Sequence, residues 1–222
     1  MGGARPGALA GVLFDLDGTL LDTLADLADS TNRCLASLGL PEHPVEAYRY
    51  FVGDGLANLA RRTLPAKRRD PATVEALQEL FNRDYHEHWA DRTRPYEGVA
   101  GLLDALSARG VPMGILSNKP HAFTVDMVRH FLGAWSFAAV FGARDSHPRK
   151  PDPAAALEIS AALGLDPARV LYAGDTRTDM ETARNAGMFA VGVLWGFRPR
   201  AELVESGAQG LASRPEELLA YF

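Results

Sequence analysis

The stretch that decides the fold is GVLFDLDGTLLDT, residues 11–23. A short apolar run leads directly into Asp15 and Asp17, two carboxylates separated by a single residue. A buried strand accounts for the apolar run. It does not account for the acidic end, because burying an unpaired carboxylate is costly. This strand end is therefore a candidate functional site.

Beyond about residue 96, short apolar runs alternate with helical patterns. The runs typical of buried strands are PMGILS (112–117), AAVFG (138–142), RVLYAGD (169–175) and FAVGVLW (189–195). Continuous apolar strands that alternate with helices predict a parallel sheet covered by helices on both faces. The fold class is therefore α/β.

Residues 24 to about 94 show helical patterns and no comparable strand run. The simplest organisation is an α/β core formed by residues 1–22 and 96–222, with an inserted all-helical domain over residues 23–95. The insertion follows the first strand directly.

Composition narrows the function classes. The net charge of −5 argues against a nucleic-acid partner, because such proteins are usually basic. The single cysteine, Cys34, excludes an internal disulfide and a cysteine-based zinc site, and its usage favours a cytoplasmic location. We expect no membrane segment, since the apolar stretch ALAGVLF (8–14) is too short to span a bilayer. The oligomeric state, monomer or homodimer, stays open.

Polar side chains follow several predicted strands. They are Asp15 and Asp17 after the first run, Ser117 and Asn118 after the second, and Asp175 and Asp179 after VLYAG, with Lys150 before a helix. Ligands bind beyond the carboxyl ends of parallel strands, so we expect these side chains to converge. Converging carboxylates repel one another without a cation. Oxygen ligands favour a hard ion, and Mg²⁺ is the usual choice where phosphate also coordinates.

Four of these segments resemble the four motifs of the haloacid dehalogenase superfamily. They are DLDGTLLDT (15–23), Ser117, Lys150 in RKPDP, and GDTRTDM (174–180), in that order. The insertion, with FVGDGLANLARRTL (51–64), is similar to the cap domain of the subfamily that includes phosphoglycolate phosphatase. The resemblance implies a Rossmann-like core with a helical cap.

The resemblance also implies roles. Asp15 would be the nucleophile that forms an aspartyl phosphate, and Asp17 the general acid and then base. A carboxylate about 4 Å from a phosphate dianion faces roughly 8 kcal/mol of repulsion at an effective dielectric constant of 20, so positive charge is required. Lys150 would pair with Asp15 and the phosphate, and Ser117 would hydrogen-bond the phosphate.

Metal and substrate ligands follow from the same resemblance. Mg²⁺ would bind Asp15, the backbone carbonyl of Asp17, and Asp175, with Asp179 supporting this set directly or through water. Substrate would contact the backbone amides near Gly18 and Thr19 and the side chain of Asn118. The glycines of the VGDG loop, Gly53 and Gly55, would help to enclose it.

Structural alternatives remain for several of these residues. Ser117 and Asn118 precede Pro120 and also fit a helix cap. Lys150 could be an ordinary loop lysine, and GDTRTD could be a turn with a helix cap.

The residues and the resemblance together predict a Mg²⁺-dependent phosphatase of a small phosphorylated metabolite. The resemblance alone implies 2-phosphoglycolate as the first candidate substrate. A phosphomutase of the same superfamily is an alternative if Arg61 or Arg62 grips a second phosphate. A pyrophosphatase is another alternative. A non-catalytic module that senses phosphorylated ligands is disfavoured, because sensing needs neither nucleophile nor acid.

Overall fold

The computed structural model describes residues 8–222 of the chain. Its largest sheet has six strands, all paired in parallel, in the order β5-β4-β1-β6-β7-β8. The strands are β1 (Gly11–Phe14), β4 (Met113–Pro120), β5 (Ala139–Ala143), β6 (Val170–Gly174), β7 (Phe189–Val193) and β8 (Gly210–Ala212). The predicted parallel α/β sheet is thus confirmed.

The central strand β1 is buried throughout, with Val12, Leu13 and Phe14 fully inaccessible to solvent. Val12 is in register with Met113 of β4 on one side and Leu171 of β6 on the other. The apolar run at the start of the quoted stretch is therefore a strand with neighbours on both edges.

Five helices connect and cover these strands. They are α5 (Val99–Ala108), α6 (His121–Leu132), α7 (Ala154–Ala162), α8 (Arg177–Ala186) and α9 (Arg200–Glu205). Helix α8 ends at Ala186 and is followed by Gly187, whose φ of 72° is the left-handed conformation that favours glycine. Helix α6 begins at His121 after Pro120, and no side chain caps it. The helix-cap alternative for Ser117 and Asn118 is therefore wrong, because both residues lie within β4.

The chain divides into two compact units. The α/β unit ends at Leu21 and resumes at Pro95, and the helical unit is Asp22–Arg94. Two-residue strands β2 (Leu21–Asp22) and β3 (Arg94–Pro95) pair with each other where the chain passes between the units. Each boundary lies one residue before the predicted one.

The helical unit contains four helices, α1 (Leu24–Ser37), α2 (Tyr48–Phe51), α3 (Leu56–Thr63) and α4 (Pro71–His88). Helix α4 begins at Pro71 after Asp70, whose side chain accepts a hydrogen bond of 3.0 Å from Thr73 N. Arg33 of α1 donates three hydrogen bonds to Asp84 of α4, at 2.6, 2.8 and 3.1 Å, and these connect the two longest helices.

Near the boundary, the carboxylate of Asp26 is buried and accepts hydrogen bonds of 3.0 Å from Arg92 N and 2.8 Å from both Thr93 N and Thr93 Oγ1. This carboxylate therefore fixes the segment that leads out of the helical unit. Within residues 8–222, no helix has the length and apolar character needed to cross a membrane.

Candidate active site

The carboxyl ends of three neighbouring strands form the candidate site. Asp15 directly follows β1, Ser117 lies in β4, and Asp175 directly follows β6. The strand order turns back at β1, since β4 and then β5 lie on one side and β6 on the other. Such a switch point is where open α/β sheets bind their ligands.

Lys150 joins two of the predicted carboxylates. Its Nζ lies 2.8 Å from Asp15 Oδ1 and 2.7 Å from Asp179 Oδ1, and it also donates to the carbonyl of Leu116 at 3.2 Å. The Lys150 side chain is only 3% exposed. A buried ammonium with three oxygen acceptors is not an ordinary loop lysine, so that alternative is wrong.

Asp179 has two structural tasks. Its Oδ1 accepts from Lys150, and its Oδ2 accepts from Thr176 N at 3.0 Å and Thr176 Oγ1 at 2.6 Å. The second pair of bonds closes a capping box at the start of α8. The predicted turn with a helix cap is therefore present together with the ion pair, and both oxygens of Asp179 have partners within the protein.

Asp175 is held from two directions. Its Oδ2 accepts a hydrogen bond of 2.7 Å from Phe197 N, and its Oδ1 accepts one of 3.3 Å from Thr19 Oγ1. Burial, reinforced by the charge on Asp179, raises the pKa of Asp175 to about 7. This carboxyl group therefore needs a cation nearby to remain fully ionised at neutral pH.

Asp17 lies beside the end of β4. Its Oδ2 accepts from Ser117 Oγ at 3.4 Å, and Lys119 Nζ lies 3.3 Å from its Oδ1. The second contact is at ion-pair distance but lacks hydrogen-bond geometry, because Asp17 Oδ1 has no hydrogen-bond donor. The Lys119 side chain is only 7% exposed, so its charge acts at short range and in a poorly hydrated place.

Asn118 holds the backbone of Lys150. Its Oδ1 accepts from Lys150 N at 3.0 Å, and its Nδ2 donates to Lys150 O at 3.3 Å. This pair of bonds fixes the loop from which the Lys150 side chain extends. In this structure Asn118 therefore positions Lys150, and its predicted contact with substrate stays a prediction.

The charges of the site act on one another. Burial raises the pKa of Asp15 well above its usual value, the charge on Asp179 adds to this, and Lys150 opposes it. Burial disfavours the charge on Lys150, but Asp15 and Asp179 outweigh that effect and raise the pKa of Lys150 well above its usual value. Lys150 is therefore a permanent cation at physiological pH.

A metal ion fits the acidic side of this cluster. Asp15, Asp175 and Asp179 are all buried, and each offers an oxygen atom within 4.8 Å of the others. Among the six charged side chains described above, carboxylates outnumber ammonium groups by two. An all-oxygen donor set with this excess of negative charge suits a hard divalent cation.

In the turn after Asp17, the backbone amides of Gly18 and Thr19 donate hydrogen bonds within the turn. The amides of Gly18 and Thr19 were expected to bind phosphate, but Gly18 N donates to Leu21 O at 2.9 Å and Thr19 N donates to Leu16 O at 3.3 Å. These amides stabilise the turn itself, and their predicted contact with phosphate stays a prediction. A Cβ atom at Gly18, where φ is 89°, would overlap the Asp175 carboxylate.

Gly53 and Gly55 lie in the helical unit, between α2 and α3, with φ values of 121° and 84°. Arg62 donates to Phe51 O at 3.1 Å and pairs with Asp54, which fixes the loop within that unit. The role of the two glycines in binding substrate stays a prediction.

Sequence reasoning missed two contributors to the site, Lys119 and Phe197. Lys119 had a usable signal, because residues two apart in a strand share a face and Ser117 was already a candidate. Phe197 acts through its backbone N–H, which leaves no trace in the residue type.

Comparison with known proteins agrees with this geometry. A family model described as haloacid dehalogenase-like hydrolase matches residues 12–193. The chain belongs to this family. The family resemblance found in the sequence is thereby confirmed.

Two curated relatives cover most of the chain. The N-acetylmuramic acid 6-phosphate phosphatase of Pseudomonas aeruginosa is 37% identical over 216 residues, which are 95% of this chain and 93% of the relative. The phosphoglycolate phosphatase of Escherichia coli K12 is 33% identical over 208 residues, which are 85% of this chain and 82% of the relative.

The solved structures agree on the fold. A crystal structure from Lactobacillus delbrueckii, provisionally named a phosphoglycolate phosphatase, has a TM-score of 0.90 and 28% identity and covers 96% of this chain and 97% of that one. A haloacid dehalogenase-like family protein of Streptococcus pneumoniae has a TM-score of 0.86 at 24% identity, covering 97% and 99%. Together with the curated relatives, these findings make the protein a phosphoric monoester hydrolase of this family.

Proposed function

We propose that this hydrolase removes phosphate from a small phosphorylated acid, with Mg²⁺ as the metal and 2-phosphoglycolate as the first candidate substrate. The observation that carries the proposal is the buried contact of Lys150 with Asp15 and Asp179. Burial raises the pKa of Asp15, and the Lys150 ammonium opposes this effect and so favours the anion, directly at the switch point of the sheet.

In the proposed reaction, a carboxylate oxygen of Asp15 attacks phosphorus while the bond from phosphorus to the alcohol oxygen breaks. Asp17 gives its proton to the departing oxygen. Asp17 then takes a proton from water, which attacks the aspartyl phosphate and releases inorganic phosphate and the free Asp15 carboxylate. Ser117 and Lys119 hold the Asp17 side chain throughout.

We propose that Asp15 and Asp175 hold the metal through side-chain oxygens and Asp17 through its backbone carbonyl. Asp179 supports this set directly or through water, and its Oδ1 also accepts a hydrogen bond from Lys150. A bound Mg²⁺ would offset the repulsion between the Asp15 carboxylate and the phosphate dianion.

The proposed substrate class rests on the names of the two curated relatives. Phosphoglycolate and N-acetylmuramic acid 6-phosphate are both phosphate monoesters of an alcohol group, in molecules that also carry a carboxyl group. We propose that the loop around Gly53 and Gly55 encloses such a substrate. Cytoplasmic residence and a monomeric or homodimeric state remain predictions.

A phosphomutase is the second candidate. One observation weighs against a phosphomutase in which Arg62 binds a second phosphate. Arg62 is already engaged by Asp54 and by the carbonyl of Phe51. Arg62 is therefore not available to bind a second phosphate unless these contacts break, and the alternative that uses Arg61 stays a prediction. Phosphate release without isomerisation of a hexose phosphate separates the two functions.

The test is a substrate panel with Mg²⁺ and with EDTA. It includes 2-phosphoglycolate, N-acetylmuramic acid 6-phosphate, a hexose phosphate and inorganic diphosphate, with released phosphate as the readout. We expect Mg²⁺-dependent release from a phosphorylated acid, its loss in Asp15→Asn, and its retention in Asp126→Asn, a control at an exposed aspartate of α6. Turnover of inorganic diphosphate alone would contradict the proposed substrate class.

A further inference from the structure

The segment that follows β7 contacts the candidate site, and β7 is the neighbour of β6 in the sheet. Trp195 lies two residues beyond Val193, the last residue of β7, and its indole Nε1 donates a hydrogen bond of 2.9 Å to the backbone carbonyl of Thr19. Trp195 thereby contacts the turn that follows Asp17. Its ring is large and rigid, so a bond at its edge fixes the position of its acceptor well.

The next two residues of this segment contact Asp175. Phe197 N donates to Asp175 Oδ2 at 2.7 Å, and Phe197 is buried. Gly196 lies between Trp195 and Phe197. There is no room for a side chain at this position, because a Cβ atom would overlap both Asp175 and the carbonyl oxygen of Gly18. A single short segment therefore binds the Asp17 turn at one end and the Asp175 carboxylate at the other.

We propose that Trp195 is a positioning residue for the metal site, an inference that rests on the proposed function. Through the carbonyl of Thr19 it fixes the turn whose Thr19 Oγ1 bonds Asp175 Oδ1 at 3.3 Å. Together with Phe197 N, this determines how the Asp175 carboxylate faces Asp15. Two ligands that come from different strands are thereby held at a fixed separation before a metal ion arrives, which lowers the cost of binding.

Trp135 provides a matched control. Its indole Nε1 also donates a short hydrogen bond, 2.8 Å to Asp104 Oδ1, but this contact lies at the exposed surface of the α/β unit. Trp135→Phe removes the same donor from the same residue type without touching the candidate site. Any effect common to both variants is therefore not specific to the metal.

The experiment is a Mg²⁺ titration by calorimetry, without substrate, of the wild-type protein, Trp195→Phe and Trp135→Phe. We expect Trp195→Phe to bind Mg²⁺ about fivefold more weakly, which corresponds to loss of one ordinary hydrogen bond. Trp135→Phe should bind like the wild type, and the melting temperature of each variant shows whether it is folded. Equal affinity in Trp195→Phe and the wild type, or an equal loss in both variants, would overturn the inference.

A second measurement does not depend on changing Trp195. The chain has three tryptophans, so Trp89→Phe with Trp135→Phe leaves Trp195 as the single tryptophan, which is excited selectively at wavelengths that tyrosine does not absorb. Because Trp195 is already fixed before the metal arrives, its emission maximum should stay constant while calorimetry reports Mg²⁺ binding. A shift of the emission maximum with the calorimetric midpoint would show that the ring moves on binding and would refute the inference. Failure of the wild-type protein to bind Mg²⁺ at all is a different result, because it contradicts the metal of the proposed function.

Discussion

Replacing Lys150 with methionine removes the ammonium between two buried carboxylates and keeps most of the side-chain length. The distances from Nζ to Asp15 Oδ1 and Asp179 Oδ1 are 2.8 and 2.7 Å, and the Asp179 side chain is fully buried. Removing one partner of a buried ion pair costs about 3–5 kcal/mol, because the remaining charge stays buried without compensation. For a chain of this length, that corresponds to a fall of roughly 10 °C in melting temperature.

The assay is thermal and urea unfolding in EDTA, so that no metal replaces the missing charge. Lys67→Met is the control, because Lys67 is exposed in the helical unit and its loss should change stability by less than about 0.5 kcal/mol. A loss below about 1 kcal/mol in Lys150→Met would refute the reasoning. It would mean that the two carboxylates do not depend on this ammonium.

The pH dependence of this loss gives an independent check. The pKa of Asp15 is already raised above its usual 3.8, and removing Lys150 raises it further. The folded variant then binds more protons than the unfolded chain between the two pKa values, so its stability increases as pH falls through that window. The pKa of Lys150 lies above 10.5, so the wild type keeps its ammonium from pH 5 to pH 8. The difference in unfolding free energy between the wild type and Lys150→Met should therefore be smaller at pH 5 than at pH 8.

Three further expectations follow from individual contacts. Lys119→Met should lower kcat for an alkyl phosphate about tenfold or more, because Lys119 contacts the proposed general acid Asp17. The effect on p-nitrophenyl phosphate should be smaller, since its leaving group needs less protonation by Asp17. Equal losses of kcat for both esters would contradict this. Mg²⁺ should bind more weakly at pH 6 than at pH 8, since Asp175 has a pKa of about 7 and metal must displace its proton; calorimetry showing equal affinities would exclude this. Asp26→Ala should destabilise the protein to urea by about 2–4 kcal/mol, because it leaves buried donors of Thr93 unpaired, whereas exposed Asp126→Ala should not.

Much of the sheet could be predicted because its strands are continuous apolar runs. The predicted strand at 189–195 corresponds to Phe189–Val193, and that at 169–175 to Val170–Gly174. Strand β8 was not predicted, because three residues, Gly210–Ala212, do not make a recognisable apolar run. Within the insertion predicted to be helical, residues 44–51 divide into a 3-10 turn and a four-residue helix, a distinction that periodicity over one turn cannot make.

Strand β4 explains why part of the site was missed. The sequence predicts its end at Ser117, but it extends to Pro120 with a shift in its pairing to β5 between Leu116 and Pro120. In the extended backbone, Ser117 and Lys119 both reach Asp17, whereas Asn118 reaches the backbone of Lys150. The residue types were visible in the sequence, but their partners depended on the length of the strand.

The double role of Asp179 restricts how this position can evolve. Asparagine would retain an oxygen for capping α8 but would leave Lys150 with one carboxylate fewer, and glutamate would move the acceptor away from Thr176. Any single exchange therefore weakens either the helix start or the ion pair with Lys150. Mutational scanning should find almost no tolerated substitution at position 179 in a selection that demands activity.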